Sequence, residues 1–375
     1  MNVAIVYGGT SCEKEVSVIT GMQAVNALSD RYRVIPVYVT EEGFFSPRRA
    51  GKIKTYLGRA ARSRRVVFAD GKLYRKTGGI LVKYADVDCC LLCTHGGGGE
   101  NGELQGFFET QGLPYTSVGT EGSAIGMDKE LSKLVFASMG LKVAPWLCFD
   151  GEVPKEEAVA AAVKAVGLPL CVKPCRQGSS IGVAVCATAE EVGEAVDVAR
   201  CFDTKIIAEK AFTDFKEVNC ACLTKDGETV VSETERPLSW RNFLSYEEKY
   251  LKSGGKLSGG GRICPADIGA EQTEKIKLWT KTVYRALGGK GIIRVDFIVD
   301  SDGEVYVNEA NTVPGSLAAY LFSPLGMSYA DAVGAAIEDA VARKKEEKLP
   351  EYDSPLLFEY LNASSNACKI GGKII

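Results

Sequence analysis

The sequence predicts a mixed α/β and α+β fold of two or three domains, and three observations predict it. Residues 2–7 form a short apolar run that passes into Gly8-Gly9-Thr10-Ser11-Cys12-Glu13 and then a helical stretch, 14–28. Strand, glycine turn and helix in that order make a parallel α/β unit, whose loop lies at the carboxyl edge of the sheet where ligands bind. Residues 291–316 hold two runs of alternating apolar residues, 292–299 and 304–310, joined by Asp300-Ser301-Asp302-Gly303. That segment reads as an antiparallel hairpin, because Asp-Gly tolerates the positive φ of such turns. Finally, 375 residues are enough for several substantial cores.

Composition narrows the function classes. With 46% hydrophobic and 25% charged residues the balance is that of a soluble globular protein. A formal net charge of -3 suggests neither nucleic acid nor an anionic membrane as partner, and the basic run 59–65 reads as an exposed segment. No apolar run approaches the ~20 residues that span a bilayer, and residues 2–7 lack the basic lead of a signal peptide. The expected location is the cytoplasm. Thirteen cysteines, an odd number scattered through apolar segments, argue for free thiols in a reducing compartment. Cys90 and Cys93 form C-x-x-C with Cys89 and His95 beside them, but zinc needs further ligands and the chain has a single histidine. Segment 87–93 therefore reads as a buried strand.

Taken in order, the elements surround a series of polar loops. Glu13, at the start of helix 14–28, has two readings: a helix cap, or a carboxylate that receives a substrate ammonium. The glycine turn before it lacks G-x-G-x-x-G and gives no dinucleotide signature. Strands 33–39 and 87–93 follow, with an irregular basic segment between them, and the second runs into Thr94-His95-Gly96-Gly97-Gly98-Gly99-Glu100-Asn101-Gly102. So many glycines let backbone approach a ligand closely. His95 has no rival as a catalytic imidazole, although a lone histidine also serves as a structural hydrogen-bonder.

Residues 128–139 read as a helix ended by Gly140, with Lys129 in its first turn, where a cation makes sense if an anion binds nearby. Helix 154–166 and strand 168–173 lead to 173–183, two strands joined by a Gly/Ser loop with Lys173 at its base. Such a loop can fold over a triphosphate without being a P-loop. Thr188 and Glu191 form a capping box for a helix to about Arg200. Strand 205–209 ends in Glu209-Lys210-Ala211-Phe212, polar and apolar groups suited to the edge and face of adenine. Segments 216–223 and 228–235 read as a second hairpin about Asp226-Gly227. The glycine-rich stretch 253–261 reads as a mobile lid that excludes water. Helices 271–287 and 329–345 follow, and 346–375 is an appended tail.

The hairpin 292–310 carries the chemistry. On a strand, residues two apart share a face. Arg294 and Asp296 point one way, Glu309 and Asn311 likewise, and hairpin pairing brings the two sets together. Asp296, Glu309 and Asn311 then offer only oxygen ligands, which suits Mg²⁺ bridging nucleotide phosphates. A solvated acidic face is the alternative. Against it stand Arg294 beside Asp296, and Pro314-Gly315, a turn able to aim the Gly315 N–H inward.

Taken together, GGTSCEKEVS, THGGGGENGELQG, MDKELSK, VAPW, KPCRQGSSIGV, YEEKYL, CPA, RVDF and NEANTVPG occur in the order found in the D-alanine:D-alanine ligase family of the ATP-grasp superfamily, which the chain resembles from residue 2 to about 335. The resemblance implies a three-domain ATP-grasp architecture: a Rossmann-like N-terminal domain, 1–123; a central subdomain, 124–212; and a C-terminal subdomain, 213–345, with lid 240–263 and the metal site. The tail 346–375 has no assigned counterpart. It implies a cytoplasmic homodimer that makes D-alanyl-D-alanine for peptidoglycan through an acyl phosphate, with ATP and two Mg²⁺ ions, Mn²⁺ being a possible substitute.

By the same resemblance Lys129, Lys173 and Ser180 contact the ATP phosphates, Glu209, Lys210, Phe212 and Glu217 the adenine and ribose, and Asp296, Glu309 and Asn311 the metals. Arg294 and the Gly315 N–H match oxyanion stabilisers. Glu13, Ser179 and Tyr250 match a trio that orders the first substrate and the lid, His95 sits near that substrate, and Lys249 matches a lid lysine that reaches the transferred phosphate. After Pro314-Gly315 the family has a Ser-Leu pair for the acceptor's carboxylate. Here 316–328 is shorter and sets Ser316, Tyr320 and Leu321 on the acceptor side, and the glycine run of the lid is longer than usual. A D-alanine:D-serine ligase, or another dipeptide ligase of this fold, is therefore the alternative. Tyr250 favours an amino-acid acceptor over D-lactate.

Overall fold

The computed structural model describes residues 1–62, 64–238 and 261–346, together with Leu356, Glu359, Leu361 and Asn362. Residues 239–260, which hold Lys249, Tyr250 and most of the expected lid 240–263, and most of the tail lie outside the described residues. Contacts divide the chain into a large unit, Met1–Val341, and a small one, Ala342–Ile375.

The first strand, β1 (Asn2–Gly8), is wholly apolar between Val3 and Val6 and becomes the axis of an eight-stranded sheet. It pairs in parallel with β2 (Arg33–Thr40) on one side and β7 (Cys89–Leu92) on the other, and β7 pairs in parallel with β8 (Tyr115–Thr116). Helix α1 (Lys14–Leu28) crosses between β1 and β2. Alternate residues of β1 feed two cores: Val3, Ile5 and Tyr7 join Leu91 and Phe322, whereas Ala4 and Val6 join Phe68 and Phe108. This two-sided burial is why the strand reads as continuous apolar sequence. Cys89, Cys90 and Cys93 are buried, in line with the buried strand expected at 87–93, and every described cysteine is free.

The segment expected to be irregular and basic is instead an antiparallel meander: β3 (Gly43–Phe45), β4 (Arg65–Ala69), β5 (Lys72–Thr77) and β6 (Ile80–Asp86) extend the sheet beyond β2. Val66, Phe68 and Leu73 point into the core while lysines and arginines cover the outer face, so the charge masks the alternation. Asp70 and Gly71, both at positive φ, make the tight turn between β4 and β5.

Helices α2 (Glu103–Thr110), α3 (Thr120–Met127) and α4 (Lys129–Ser138) lead to a second, antiparallel sheet, ordered β11-β10-β12-β9. Its strands are β9 (Trp146–Asp150), β10 (Leu170–Pro174), β11 (Ala184–Cys186) and β12 (Lys205–Lys210). Helices α5 (Lys155–Val166) and α6 (Ala189–Arg200) cover it through Ala162, Val192 and Val196. The capping box of Thr188 and Glu191 forms as expected and fixes where α6 begins.

The third sheet is antiparallel, β14-β13-β17-β18. Strand β13 (Phe215–Lys225) is followed by β14 (Glu228–Val231), which ends earlier than the 228–235 expected. A ribbon of β15 (Arg236–Pro237) and β16 (Arg262–Ile263) flanks it. Strands β17 (Ile292–Asp300) and β18 (Val305–Asn311) form the predicted hairpin, with Asp296 opposite Glu309 and Arg294 opposite Asn311. Helix α7 (Ala270–Ala286) packs Ile276, Val283 and Tyr284 onto the other face against Val218, Ile293 and Val295. One face of the hairpin is thus committed to core, which pins the register and leaves the polar face outward. A tight helical segment, Gly315–Leu325, and α8 (Tyr329–Glu346) follow.

Candidate active site

Strands of the third sheet, the β15–β16 ribbon, helices α1, α3 and α4, and loops that leave the first two sheets line a cavity of about 240 Å³. Among the described residues its wall carries six carboxylates (Glu13, Glu100, Glu217, Glu235, Asp296, Glu309) and three cations (Lys129, Arg262, Arg294). An excess of carboxylate facing a cavity favours divalent cations and an ammonium group over a bare anion.

The hairpin's polar face forms one corner. Arg294 donates from Nε to Asp296 Oδ1 at 2.6 Å and from Nη2 to Oδ2 at 2.7 Å, a bidentate pair, and Asn311 Nδ2 donates to Oδ2 at 3.1 Å. Burial would lower the Arg294 pKa, but Asp296 outweighs it and holds the guanidinium firmly charged. Across the register, Glu309 lies 3.9 Å from Lys129 Nζ, which also donates to the Gln177 carbonyl at 2.6 Å. Among the described residues no three His, Cys, Asp or Glu side chains gather as a metal cluster. The set here is two carboxylates and an amide, all oxygen donors on one sheet face, a chemistry that fits Mg²⁺ completed by phosphate and water.

A second corner is built around Glu13. As N-cap of α1 its side chain makes no capping hydrogen bond; it instead accepts a short bond from Ser179 Oγ in the β10–β11 loop. A Cβ at Gly96 or Gly178 would fall 2.5 Å and 2.6 Å, respectively, from Glu13 Oε2, so glycine in both loops is what admits the carboxylate. The Ser179 and Ser180 backbones are both left-handed, an arrangement that non-glycine residues keep only under external constraint.

His95 sits between α1 and the Pro314-Gly315 turn with both ring nitrogens engaged. Nδ1 donates to the Val313 carbonyl at 2.7 Å, which leaves Nε2, 2.9 Å away, to accept from the Thr20 hydroxyl; Thr20 Oγ1 in turn accepts from the Ser316 N–H at 3.2 Å. Burial holds its pKa at about 4, so the ring is neutral at physiological pH. This geometry makes His95 a clamp on the turn and does not support it as a base. Beside it Glu100, unassigned from sequence, accepts from the N–H groups of Gly96 and Val313 and from Thr312 Oγ1. Burial, then Glu13, raises its pKa to about 7. A lone acidic residue at the end of a glycine run was its only signal.

The remaining expected residues divide. Glu217, Gly315, Ser316 and Tyr320 line the cavity. Lys173 and Glu209 do not: they form a buried ion pair behind it, joined by Lys133, whose Nζ lies 2.9 Å from Glu209 Oε2. Burial would raise the Glu209 pKa, but Lys133 and Lys173 pull it down to about 2. Lys133 was not foreseen, although it stands one helical turn after Lys129 in α4. Lys210 is exposed and lies 5.3 Å over the Phe212 ring, which packs on Tyr306; Ser180 is exposed at the loop tip. The Leu321 side chain is a correction: it is fully buried in the core beside Phe322 and does not face the acceptor side.

Two family models match the chain: "D-ala D-ala ligase N-terminus" over residues 2–118 and "D-ala D-ala ligase C-terminus" over residues 135–338. The chain belongs to the D-alanine–D-alanine ligase family. The D-alanine–D-alanine ligase of Thermosipho africanus is 33% identical over 363 residues, covering 94% of this chain and 96% of that one. The solved structure of the D-alanine-D-alanine ligase from Coxiella burnetii matches with a TM-score of 0.78 over 98% of this chain and 99% of that one, at 22% identity, a likeness of fold. The VanG D-Ala:D-Ser ligase from Enterococcus faecalis matches with a TM-score of 0.74 at 28% identity, covering 90% of this chain and 99% of that one. The fold is thus that of the ATP-grasp ligases.

Proposed function

We propose that this family member joins two D-alanine molecules into D-alanyl-D-alanine with ATP, for peptidoglycan synthesis. The observation that carries the reading is the meeting of two corners in one cavity: the Arg294–Asp296–Asn311–Glu309 face and the Glu13–Ser179 pair. In the reaction a carboxylate oxygen of the donor attacks the γ-phosphorus of ATP and ADP leaves. The acceptor's amine then attacks the acyl carbon, inorganic phosphate leaves, and one proton is released.

Each corner has a task in this scheme. Glu13, oriented by Ser179 between two glycine loops, receives the donor's ammonium and so aims its carboxylate at the nucleotide. Arg294 and the Gly315 N–H face the oxyanion that develops at the acyl carbon. Lys129 holds phosphate oxygens from the first turn of α4. The proposed metals, two Mg²⁺ or Mn²⁺ held by Asp296, Glu309 and Asn311, supply charge neutralisation during phosphoryl transfer when bound. Lys173, Ser180, Glu209, Lys210 and Phe212 are proposed on the nucleotide side. Lobes 1–123, 124–212 and 213–345, a homodimer and a cytoplasmic location complete the proposal.

D-serine as acceptor is the second reading, supported by the likeness to the VanG ligase and by an acceptor side whose sequence departs from the family pattern. Incubation with MgATP and D-alanine alone separates the two. The expected result is dipeptide with stoichiometric ADP and phosphate. Turnover that begins only when D-serine is added would establish the second reading.

A further inference from the structure

Among the described residues three cations line the cavity, and two already face carboxylates of the hairpin. Lys129 faces Glu309 and the Gln177 carbonyl, and Arg294 is forked onto Asp296. The third, Arg262, lies on the ribbon strand β16. Its guanidinium lies 4.4 Å over the Tyr320 ring and donates from Nη1 to Glu235 Oε2 at 3.1 Å. The Tyr320 hydroxyl donates to the other oxygen, Glu235 Oε1, at 3.2 Å. Glu235 is itself only 3% exposed and thus anchors both partners from beneath.

This arrangement fixes a guanidinium plane. The aromatic face blocks one side and Glu235 takes one N–H. Among the described residues the Arg262 guanidinium meets no other hydrogen-bond acceptor, and its side chain is 35% exposed and lines the cavity. A planar fork held in this way matches a carboxylate in two-point contact, which a lysine in the same place could not reproduce. Burial, and then Glu235, push the Tyr320 pKa up to about 12, so the hydroxyl remains protonated and keeps donating to Glu235 at physiological pH. An amino acid that arrives as a zwitterion needs one cation for its carboxylate, and the acidic wall offers ample room for its ammonium.

We propose that Arg262 receives the α-carboxylate of the acceptor amino acid, with Glu235 and Tyr320 as the positioning residues that hold its guanidinium in plane. The assignment rests on the ligase reading of the same cavity and locates acceptor recognition on the β15–β16 ribbon, away from the backbone after Gly315. It accounts for why Tyr320, placed on the acceptor side by sequence, turns its hydroxyl to Glu235 and its ring to Arg262. The ring is the platform and the arginine is the receptor.

The test compares Arg262→Ala and Arg262→Lys with the wild-type chain in two assays. One titrates D-alanine in dipeptide synthesis, with D-alaninamide as an alternative acceptor lacking the carboxylate. The other replaces the acceptor by hydroxylamine and measures D-alanine hydroxamate, which needs the donor and ATP only. For Arg262→Ala the expected result is a rise in half-saturating acceptor on the order of 10- to 100-fold, with hydroxamate formation unchanged. The preference for D-alanine over D-alaninamide falls by a similar factor, and Arg262→Lys lies between. A shift of less than about threefold in Arg262→Ala, with hydroxamate formation intact, overturns the assignment. So does a parallel loss of hydroxamate formation in both variants, which would place Arg262 with the nucleotide or donor. A wild-type chain that makes neither product would instead sink the ligase reading itself.

Discussion

Two groups of cations and carboxylates lie close together in this molecule and behave differently. Lys133, Glu209 and Lys173 are sealed behind the cavity, with side-chain exposures of 1%, 7% and 9%. Arg294, Asp296 and Glu309 stand in the cavity wall at 20%, 16% and 33%. In the sealed group two cations flank one carboxylate, and no solvent can substitute for a missing partner, so the charges are fixed once the chain folds. In the open group each carboxylate faces a cation across a surface that a metal ion or phosphate can reach, so partners can be exchanged during a reaction. Position and exchange are separate tasks, and burial decides which group performs which.

The largest expected effect comes from breaking the sealed group. Glu209→Gln leaves two buried ammonium groups without their anion and is expected to cost about 3–5 kcal/mol of stability, read from urea unfolding. The same experiment on Glu309→Gln, whose own side chain is 33% exposed, is expected to show a change within about 1 kcal/mol. Equal losses would erase the distinction between the groups.

Breaking the open group falls on turnover. Arg294→Ala removes an oxyanion donor and leaves Asp296 without its fork, with an expected loss of ~10²–10³ in the rate of ADP release. A loss below tenfold would move Arg294 out of the chemistry and into packing.

The smallest effect sharpens the place of His95, whose ring is clamped between the turn and α1. Burial holds the folded ring at about 4 against an ordinary 6.5, so as pH falls the unfolded chain takes up this proton first. The group's contribution is therefore present above pH 6.5 and lost as pH falls toward 4. His95→Asn lacks that penalty, and the stability gap between wild type and variant is expected to narrow across this window, by up to ~3 kcal/mol. A gap that stays constant would mean the ring is solvated.

How far the sequence could reach follows the same division. The open group was legible because strand alternation and an Asp-Gly turn are local signals, and these alone set Arg294, Asp296, Glu309 and Asn311 on one face, where the hairpin register has them. The Thr188 capping box and helix 14–28 were legible for the same reason. The sealed group was not: nothing near Lys133 states that it will be 1% exposed, since its partner Glu209 lies on β12, far away in sequence. Strands β4 and β5 were hidden by lysines and arginines on their outer face, and β6 by the exposure of Ile80, Leu81 and Val82. The pairing of Glu235 with Arg262 and Tyr320 joins three separate segments, and only the fold brings them together.

The central claim is that oxygen groups on the β17–β18 hairpin hold the divalent ions that accompany the nucleotide. Its most direct measurement is a Mn²⁺ titration followed by electron paramagnetic resonance, with ADP present, on the wild type and on Glu309→Gln. The account expects about two ions bound in the wild type and an affinity at least about tenfold weaker in the variant. A variant that titrates like the wild type would contradict it.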